Sequence, residues 1–539
     1  MRARVPAINI RLPVLILALL CLGVSGCSKQ TPAPEPASTD TSAKAVSAQA
    51  IQWLDGDMAN ALALASEQGK PVFAYWGAEW CPYCNQLQAT VFRREEFIAL
   101  SHQFVAVDMS NGNSADIRAA DEYKIRGVPT VIILSQEGEE ITRIAGGYDP
   151  EQYAAVLEMT LNTIRPVAEL LASVQAGESL SADDWYLLSS YSWHDRGNLL
   201  DQDKAPDVLQ GLYEACPAQQ AVVCSKLGVA AMGTWLRADQ EGRADRAAQY
   251  TAMVEAILDS PDLAQANLAA LVDLGDRIVK TAAPDQQEAL QARLLSLGKA
   301  EIEDPDTYLL RKASLLGGWV DIATMQLEEG ESLPAEQMVW VRDQADAALA
   351  ALDSYQVQSG VNSLWGVYYD VGLTDRARET LQYGVENAQA PYYFMSGMAY
   401  LEQKEGNMDA ALDWRRQAWE NTRQPVHQIS WGRGYLLRLL EQTPENTAEI
   451  QRVGSAVIGE ILDFNDGVEI YAKSLDRLNT ALEEWSSEDA QRIAVLSALR
   501  QQVNTACTAL PKDDSVSAFC DSFLRVAGRG MENQDDHLS

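Results

Sequence analysis

Two cysteines, Cys81 and Cys84, stand where an apolar run gives way to a helical pattern. The run 71–76 before them is almost entirely apolar and predicts a buried strand. The segment 85–100 after them predicts a helix, because apolar residues recur at helical spacing. The pair therefore lies at a strand-to-helix turn, where a helix N-terminus stabilises a thiolate. Cysteines in this setting can cycle between a dithiol and a disulfide.

Further strand-like runs and one more helix follow the cysteines. Strands are predicted at 104–107, 131–134 and 141–145, a turn at 136–139 joins the last two, and a closing helix begins at Pro150. These strands and helices close one predicted unit.

The segment from about 50 to 165 resembles the thioredoxin family. Residues 78–81 (Ala-Glu-Trp-Cys) resemble its active-site entry, and residues 127–130 (Gly-Val-Pro-Thr) resemble its loop with a cis proline. Residues 146–149 (Gly-Gly-Tyr-Asp) are similar to the carboxy-terminal domain of the periplasmic electron-transfer family DsbD. The resemblance implies an α/β thioredoxin fold with a central mixed sheet for residues 50–165.

The two cysteines take different roles in the predicted chemistry. Cys81 is expected to be partly exposed at the helix start, where the dipole stabilises its thiolate and makes it the attacking sulfur. Cys84 lies one turn deeper and resolves the mixed disulfide by attacking the Cys81 sulfur. Trp80 is expected to shield the disulfide and contact substrates. By the resemblance, Pro129 is cis and packs against the pair, and Val128 offers backbone groups to a substrate peptide.

Three other neighbours of the pair, Glu79, Pro82 and Tyr83, support the predicted site. The Pro82-Tyr83 dipeptide matches glutaredoxins, yet nothing else indicates a glutathione site, and no cofactor is predicted. Typical thioredoxins place a buried aspartate where this chain has Tyr75, and Phe104 replaces the usual lysine partner. That carboxylate assists proton transfer during the second cysteine's attack, so its absence argues against fast thioredoxin-like reduction. Glu79 either assists in its place or faces solvent.

The segment 1–26 predicts an export signal. Arginines precede an apolar stretch at 12–24 that is too short to span a bilayer comfortably. The stretch ends in Val-Ser-Gly-Cys, which resembles the bacterial lipobox and implies that Cys27 is the lipidated first residue. The alternative is an ordinary signal peptide cleaved near Gly26. By the same resemblance, Ser28 favours the outer over the inner membrane. Residues 27–49 predict a lipid anchor and a flexible Pro/Ala/Ser-rich linker.

Four cysteines remain once the redox pair, Cys27 and the one inside the signal are set aside. Cys216 and Cys224 flank one short loop, and Cys507 and Cys520 flank another, so each pair can link two helices. In an exported protein this arrangement favours structural disulfides within each pair. Free buried thiols and an additional redox centre are the alternatives. No metal site is predicted, because the four histidines do not lie beside these cysteines.

The net charge of the chain, −34 at pH 7, excludes one class of partner. Phosphate groups would be repelled by such an acidic surface, so the sequence argues against nucleic-acid binding. Solubility is the simpler reading of this charge.

From 166 to 539 the pattern changes to long helices rich in Ala, Leu, Gln and Glu. Four positions recur at one fixed step, which resembles the tetratricopeptide repeat: Gly372, Asp375, Ala377 and Gly384 return as Gly406, Asp409, Ala411 and Ala418. The alternative is an irregular helical array. Aromatic residues are frequent, and a few are expected to line a concave face that grips peptide. The tail 528–539 is predicted to be disordered.

These observations favour an enzyme: a membrane-anchored periplasmic thiol–disulfide oxidoreductase of a Gram-negative bacterium, of reductase or isomerase type. Its expected partners are cysteine-containing exported proteins and a DsbD-like membrane electron donor, because the periplasm does not itself supply reductant. The alternative is an envelope scaffold or substrate-binding protein of helical repeats, in which the thioredoxin-like segment serves binding or assembly.

Overall fold

The computed structural model describes residues 50–524, except for 147–149, 163–164, 196, 198, 202, 239–243, 329–330, 465–467, 488 and 511–513. The predicted signal peptide, Cys27, the linker as far as residue 49 and the tail 528–539 lie outside the described residues. Residues 147–149, which belong to the Gly-Gly-Tyr-Asp motif, also lie outside the described residues.

Five strands form one mixed sheet in the order β1-β3-β2-β4-β5. The strands are β1 (Trp53–Asp55), β2 (Val72–Trp76), β3 (Val105–Asp108), β4 (Thr130–Leu134) and β5 (Glu140–Ala145). Strands β1 and β2 pair in parallel with β3, whereas β4 pairs antiparallel with β2 and β5. The mixed sheet predicted from the sequence is confirmed.

Helices cover both faces of this sheet because the side chains of each strand alternate between the faces. The helices are α1 (Met58–Gln68), α2 (Pro82–Thr90), α3 (Glu95–Ser101), α4 (Ser114–Glu122) and α5 (Pro150–Asn162). On β2, Ala74 and Trp76 belong to the core with α1 and α4, and Phe73 and Tyr75 to the core with α2, α3 and α5.

The single helix predicted for 85–100 is wrong, because the chain breaks between α2 and α3. Phe92 lies in the break and turns its ring into the core, 5.1 Å from the Tyr75 ring in an edge-on contact. The Arg94 Nε donates a hydrogen bond to the Thr90 carbonyl at 2.9 Å, which satisfies an acceptor that the helix end leaves free. Burial of an aromatic ring therefore outweighs continuation of the helix.

The rest of the described chain is helical, apart from its connecting segments, and the predicted large all-helical region is confirmed. Helices α6 to α24 are, in order, Val167–Gln175, Ala182–Ser190, Ala205–Ala215, Ala221–Arg237, Ala244–Leu258, Pro261–Asp273, Gly275–Thr281, Pro284–Glu303, Leu309–Thr324, Ala335–Ala351, Val357–Asp370, Thr374–Asn387, Pro391–Lys404, Met408–Glu420, Pro425–Gln442, Thr447–Leu462, Ala472–Ser486, Ala490–Cys507 and Asp514–Leu524, with a 3₁₀ turn at Val468–Tyr471. None of the helices in the described part is both long and apolar enough to cross a membrane.

Three of these helices, α16, α18 and α20, begin at equal intervals along the chain, at 357, 391 and 425. Each is followed by an antiparallel partner, and the first two turns use Gly372 and Gly406 in the left-handed region, at φ +81° and +83°. Ala377 and Ala411, which recur at the same step, are fully buried where the helices meet. The helical hairpins follow the predicted period, and the tetratricopeptide assignment itself stays a prediction.

The helical region and the sheet share one apolar core that begins at Phe73 and continues as far as Leu401. The segment after α7 also bonds to strand β5. The Ser192 backbone N–H donates to the Arg143 carbonyl at 3.0 Å, and the Ala145 N–H donates to Ser192 Oγ at 2.8 Å. The described residues accordingly belong to one compact unit.

Candidate redox site

Cys81 and Cys84 form a disulfide at the start of α2, with their Cα atoms 5.2 Å apart. Cys81 is the residue that caps this helix, and Pro82 occupies its first turn. The Cys84 backbone N–H points at Cys81 Sγ, 3.1 Å away. The Asn85 side chain braces the turn by donating to the carbonyls of Glu79 and Cys81, at 2.8 and 3.0 Å. A Cys81 thiolate would therefore accept a backbone hydrogen bond at a helix N-terminus.

The loop before β4 lies directly against this disulfide. The Val128–Pro129 peptide bond is cis, and the Val128 carbonyl oxygen is 3.4 Å from Cys81 Sγ. Thr130 Oγ1 donates to the Gly127 carbonyl at 2.8 Å, and the Gly146 N–H donates to the Pro129 carbonyl at 2.8 Å. The structure thus brings together the two cysteines and the loop residues predicted to contact a substrate backbone.

The disulfide is buried, which differs from the partial exposure expected for Cys81. Cys81 is 2% exposed and Cys84 is inaccessible. The helical region packs over the redox loop on both sides of Cys81, at Trp80 and Pro82. The Trp80 ring stacks on the Tyr393 ring with centroids 5.8 Å apart, and its other ring neighbours are Trp431 and His427, at 5.8 and 6.4 Å.

Hydrogen bonds from helix α16 hold the backbone of the redox loop. Gln358 Nε2 donates to the Trp80 carbonyl at 2.9 Å, and its Oε1 accepts from the Ala390 N–H at 3.2 Å. The Ser359 hydroxyl donates to the Pro82 carbonyl. Two loop carbonyls that would otherwise face water are satisfied by buried side chains of the helical region.

Glu79 takes part in a polar cluster with Tyr392 and His427. The Tyr392 hydroxyl donates to Glu79 Oε1 at 2.8 Å, and His427 Nδ1 lies 3.1 Å from the same hydroxyl. Because the hydroxyl proton goes to the carboxylate, this arrangement assigns the imidazole proton to Nδ1. Burial lowers the pKa of His427, more than the charge of Glu79 raises it. Burial and, after it, Glu79 raise the pKa of Tyr392 far above its usual range.

The position where thioredoxins place a buried aspartate is filled by a neutral phenol. Tyr75 is 1% exposed, and burial, with a smaller contribution from Asp108, raises its pKa well above the usual value. Tyr75 therefore stays protonated at any physiological pH and does not replace the carboxylate as a base. Phe104 is buried in the same core cluster as Tyr75, beneath the sheet.

Tyr83 is the one residue of the Cys-Pro-Tyr-Cys loop that stays open to solvent, at 43% exposed. Partial burial and then the charge of Asp273 raise its pKa. A cavity of about 580 Å³ is lined by that aspartate and by other charged residues of both signs: Arg237, Asp276, Arg277, Lys280 and Asp321. Asp273 is thus common to this cavity and to the electrostatic environment of Tyr83.

The other two cysteine pairs are bonded as the sequence analysis pairs them. Cys216 and Cys224 join the end of α8 to the start of α9, with an S–S distance of 2.06 Å. Cys507 and Cys520 join α23 to α24 at 2.02 Å. Among the described residues, no group of His, Cys, Asp or Glu has the arrangement of a metal site.

A family model described as a thioredoxin-like domain matches residues 58–160. Residues 58–160 are a thioredoxin-like domain. Among curated proteins, the thiol:disulfide interchange protein DsbD of Pseudoalteromonas atlantica is 28% identical over 111 residues, which are 20% of this chain and 19% of that protein. The thioredoxin-like protein HCF164, chloroplastic, of Arabidopsis thaliana is 29% identical over 89 residues, which are 16% of this chain and 33% of that protein.

The solution structure of a thioredoxin from Thermus thermophilus is 27% identical and corresponds to 21% of this chain and 88% of that one, with a TM-score of 0.20. The chain thus spans only a fifth to a third of the length of these curated relatives. Of these relatives, the Pseudoalteromonas protein is the one named for thiol:disulfide interchange.

Sequence reasoning missed the residues that hold the thioredoxin-like domain from outside. Gln358, Ser359 and His427 gave no signal, because they are polar residues within helical patterns. Tyr393 and Trp431 were two of many aromatic residues expected to be core or to line a concave face. The regular spacing of the helices was the one usable clue, since it brings 358, 392 and 426 into equivalent positions.

Proposed function

We propose that this chain is a membrane-anchored periplasmic thiol–disulfide oxidoreductase, of reductase or isomerase type, that acts on cysteines of exported proteins. The observation that carries the proposal is the Cys81–Cys84 disulfide at a helix N-terminus, with the Val128 carbonyl 3.4 Å from Cys81 Sγ. The similarity of residues 58–160 to thiol:disulfide interchange proteins supports the same chemistry.

Cys81 exchanges with the substrate, because its sulfur lies beside the substrate-binding loop while Cys84 is inaccessible. In the reducing direction, a Cys81 thiolate attacks one sulfur of a substrate disulfide. A Cys81–substrate bond forms, the substrate S–S bond breaks, and the departing sulfur leaves as a thiolate that takes up a proton. The Cys84 N–H and the helix dipole stabilise the attacking thiolate.

Cys84 completes the cycle. Once deprotonated, its sulfur attacks Cys81 Sγ, the Cys81–Cys84 bond forms, and the second substrate sulfur departs with the electron pair. The substrate gains two electrons and two protons, and the chain is left as the disulfide described above. A dithiol donor must then reduce it again, and a DsbD-like membrane protein is the proposed donor. In an isomerase, another thiolate of the substrate instead attacks the substrate sulfur of the mixed disulfide before Cys84 does, so that a new substrate disulfide forms and the Cys81 thiolate is released.

The proposed location rests on the sequence of the segment 1–49. A lipidated Cys27 would hold the chain at the membrane, with the outer membrane favoured over the inner, and the linker would let the folded part extend into the periplasm. A chain carrying Cys27→Ser should move from the membrane fraction to the soluble periplasmic fraction of the cell.

The second candidate function is an envelope scaffold of helical repeats. One observation favours it: the helical region closes over the redox pair and leaves Cys81 2% exposed. In that case the thioredoxin-like domain would stabilise the assembly, and loss of its cysteine chemistry would have no effect in the cell.

Trapping of mixed disulfides distinguishes the two. Cys84→Ser should accumulate dithiothreitol-sensitive adducts with exported proteins, because nothing resolves the bond to Cys81. Cys81→Ser, the matched control, should form none and should not reduce a model protein disulfide such as that of insulin. The absence of adducts together with an unchanged phenotype of Cys81→Ser cells would favour the scaffold.

A further inference from the structure

We propose that the helical region is a built-in cover that regulates access of protein substrates to the redox pair, through equivalent positions of three successive helical hairpins. The cover helices are α16, α18 and α20. The inference rests on the proposed function, and it adds that a protein thiol or disulfide reaches Cys81 only when the contact with the cover helices opens.

The contacts recur at the period of the hairpins. Each of the cover helices contributes its second and third residues: Gln358 and Ser359 from α16, Tyr392 and Tyr393 from α18, and Val426 and His427 from α20. Five of these residues contact Glu79, Trp80 or Pro82 of the thioredoxin-like domain. The sixth, Val426, lies beside Gly112 of that domain. Three helix N-termini therefore converge on the redox loop.

The chemistry of the two surfaces is complementary. The redox loop presents acceptors, namely the carbonyls of Trp80 and Pro82 and the carboxylate of Glu79. The cover presents donors: the Gln358 amide, the Ser359 hydroxyl and the Tyr392 hydroxyl. Acceptors placed at helix N-termini also interact favourably with the positive end of the helix dipole. The aromatic rings of Tyr393 and Trp431 both pack against the Trp80 ring, the first stacked and the second edge-on.

Buried polar residues at these positions indicate specific recognition. Gln358 is 2% exposed and Ser359 is 5% exposed, at helix positions where an apolar side chain would pack at lower desolvation cost. Their partners are the loop carbonyls, so the cover fits this loop and would leave its own donors unsatisfied against an apolar surface. Each donor can bond to water when the contact opens, which makes the closure reversible.

Two contacts at the edge of the covered surface also join the thioredoxin-like domain to the helical region. The Arg93 guanidinium lies over the Tyr355 ring at 3.7 Å, and the Gln86 side chain donates to the Tyr308 hydroxyl at 3.5 Å. Both contacts join α2 or its exit to the helical region, at Tyr355 just before α16 and at Tyr308 just before α14. A protein substrate would need the space that the helical region occupies, since Cys81 is only 2% exposed.

The test compares a small and a large reductant on the full mature chain carrying Cys27→Ser. Dithiothreitol and a reduced thioredoxin are each mixed with the oxidised chain, and reduction of Cys81–Cys84 is followed by thiol alkylation. The variant is Tyr392→Phe, which removes one hydroxyl from the contact. The matched control is Tyr435→Phe, whose hydroxyl bonds to Glu449 within the helical region.

We expect Tyr392→Phe to raise the rate with thioredoxin about threefold to tenfold, as the loss of one partly exposed hydrogen bond to a carboxylate predicts. The ratio of the thioredoxin rate to the dithiothreitol rate should rise, and Tyr435→Phe should leave it unchanged. Ser359→Ala, which loses the bond to Pro82, should act in the same direction and guards against a folding defect in one variant.

Three results would overturn the inference. Equal acceleration with both reductants would mean that the variants change the reactivity of the disulfide and not access to it. An unchanged ratio in both variants would mean that the contact does not limit access, while the proposed function would stand. Failure of both reductants to reduce the pair in every chain would overturn the proposed function, and the cover with it.

Discussion

A substitution at Gly112 of the thioredoxin-like domain would strain the contact of this domain with the cover helices. It lies in the loop after β3, with φ +66°, and a Cβ placed on it would be 2.6 Å from Val426 Cγ1. Gly69, at the end of α1, has the same φ of +66° and open space around it. The two alanine variants therefore share the backbone strain and differ in the contact with the cover.

The magnitudes follow from this comparison. A residue other than glycine in the left-handed region costs about 1–2 kcal/mol, and both variants should lose that much unfolding free energy. In Gly112→Ala, the Cβ also meets the Val426 side chain at a distance that atoms do not tolerate. Overpacking of this kind costs about 1–3 kcal/mol. If the strain is relieved by opening, reduction by a protein dithiol should rise about fivefold to a hundredfold.

The assay is urea unfolding together with the rate at which reduced thioredoxin reduces the Cys81–Cys84 disulfide. Gly69→Ala should lower stability without a change in that rate. Gly112→Ala should lower stability and also raise the rate of reduction. Adding Val426→Ala to Gly112→Ala removes the atom at 2.6 Å and should return the rate most of the way to that of Gly69→Ala. Equal rates for Gly112→Ala and Gly69→Ala would refute the reasoning, because the clash would then be absorbed without opening.

Three further outcomes are expected. Acid should open the cover. Burial lowers the pKa of His427, whose titratable neighbours are Glu79 and Tyr392. The closed form therefore binds fewer protons than the open form and loses stability as the pH falls below about 6.5. The thioredoxin-to-dithiothreitol rate ratio should thus rise from pH 7 to pH 5, and His427→Asn should flatten this rise. Tyr75→Phe should leave the pH profile of thiol exchange between pH 6 and 9 unchanged, because the phenol stays neutral; a shifted profile would give it a role in proton transfer. Replacing Cys507 and Cys520 by serine should lower the unfolding free energy by about 3 kcal/mol, from a sequence separation of 13, with no effect on reduction of the redox pair.

The parts of the structure that the sequence predicted depend on local patterns. Strands β2 to β5 follow from short apolar runs, and the turn at Cys81 follows from the change of period between strand and helix. The break in the helix after Thr90 could not be predicted, because no Gly or Pro marks it. Its cause is the packing of Phe92 against rings that are distant in the sequence.

The buried state of Cys81 could not be predicted for a related reason. Gln358 and Ser359, which hold the loop around it, lie 278 and 277 positions from their partners Trp80 and Pro82. A single sequence carries no signal for such a pairing, and polar residues on a helix are ordinarily assigned to a solvated face. The repeat predicted from Gly372 and Gly406 gave the period of the hairpins, but not which residues of that period contact the redox loop.

The cover and Tyr75 affect the rate of thiol–disulfide exchange, whereas the surroundings of the Cys81 thiolate set the reduction potential. Different measurements therefore report them. The cover multiplies every protein substrate's rate by the fraction of chains that are open. Tyr75, which stays neutral, leaves the attack of Cys84 without the buried base of a thioredoxin, and this lowers the rate of the second step. Neither effect moves the reduction potential, provided that the cover binds both redox forms equally. The potential instead reflects how strongly the helix N-terminus and the Cys84 N–H stabilise a Cys81 thiolate. Slow exchange with proteins, at whatever potential the Cys81 environment sets, is therefore the behaviour that this geometry requires, and the variants at Tyr392 and Gly112 should change the exchange rate without changing the potential.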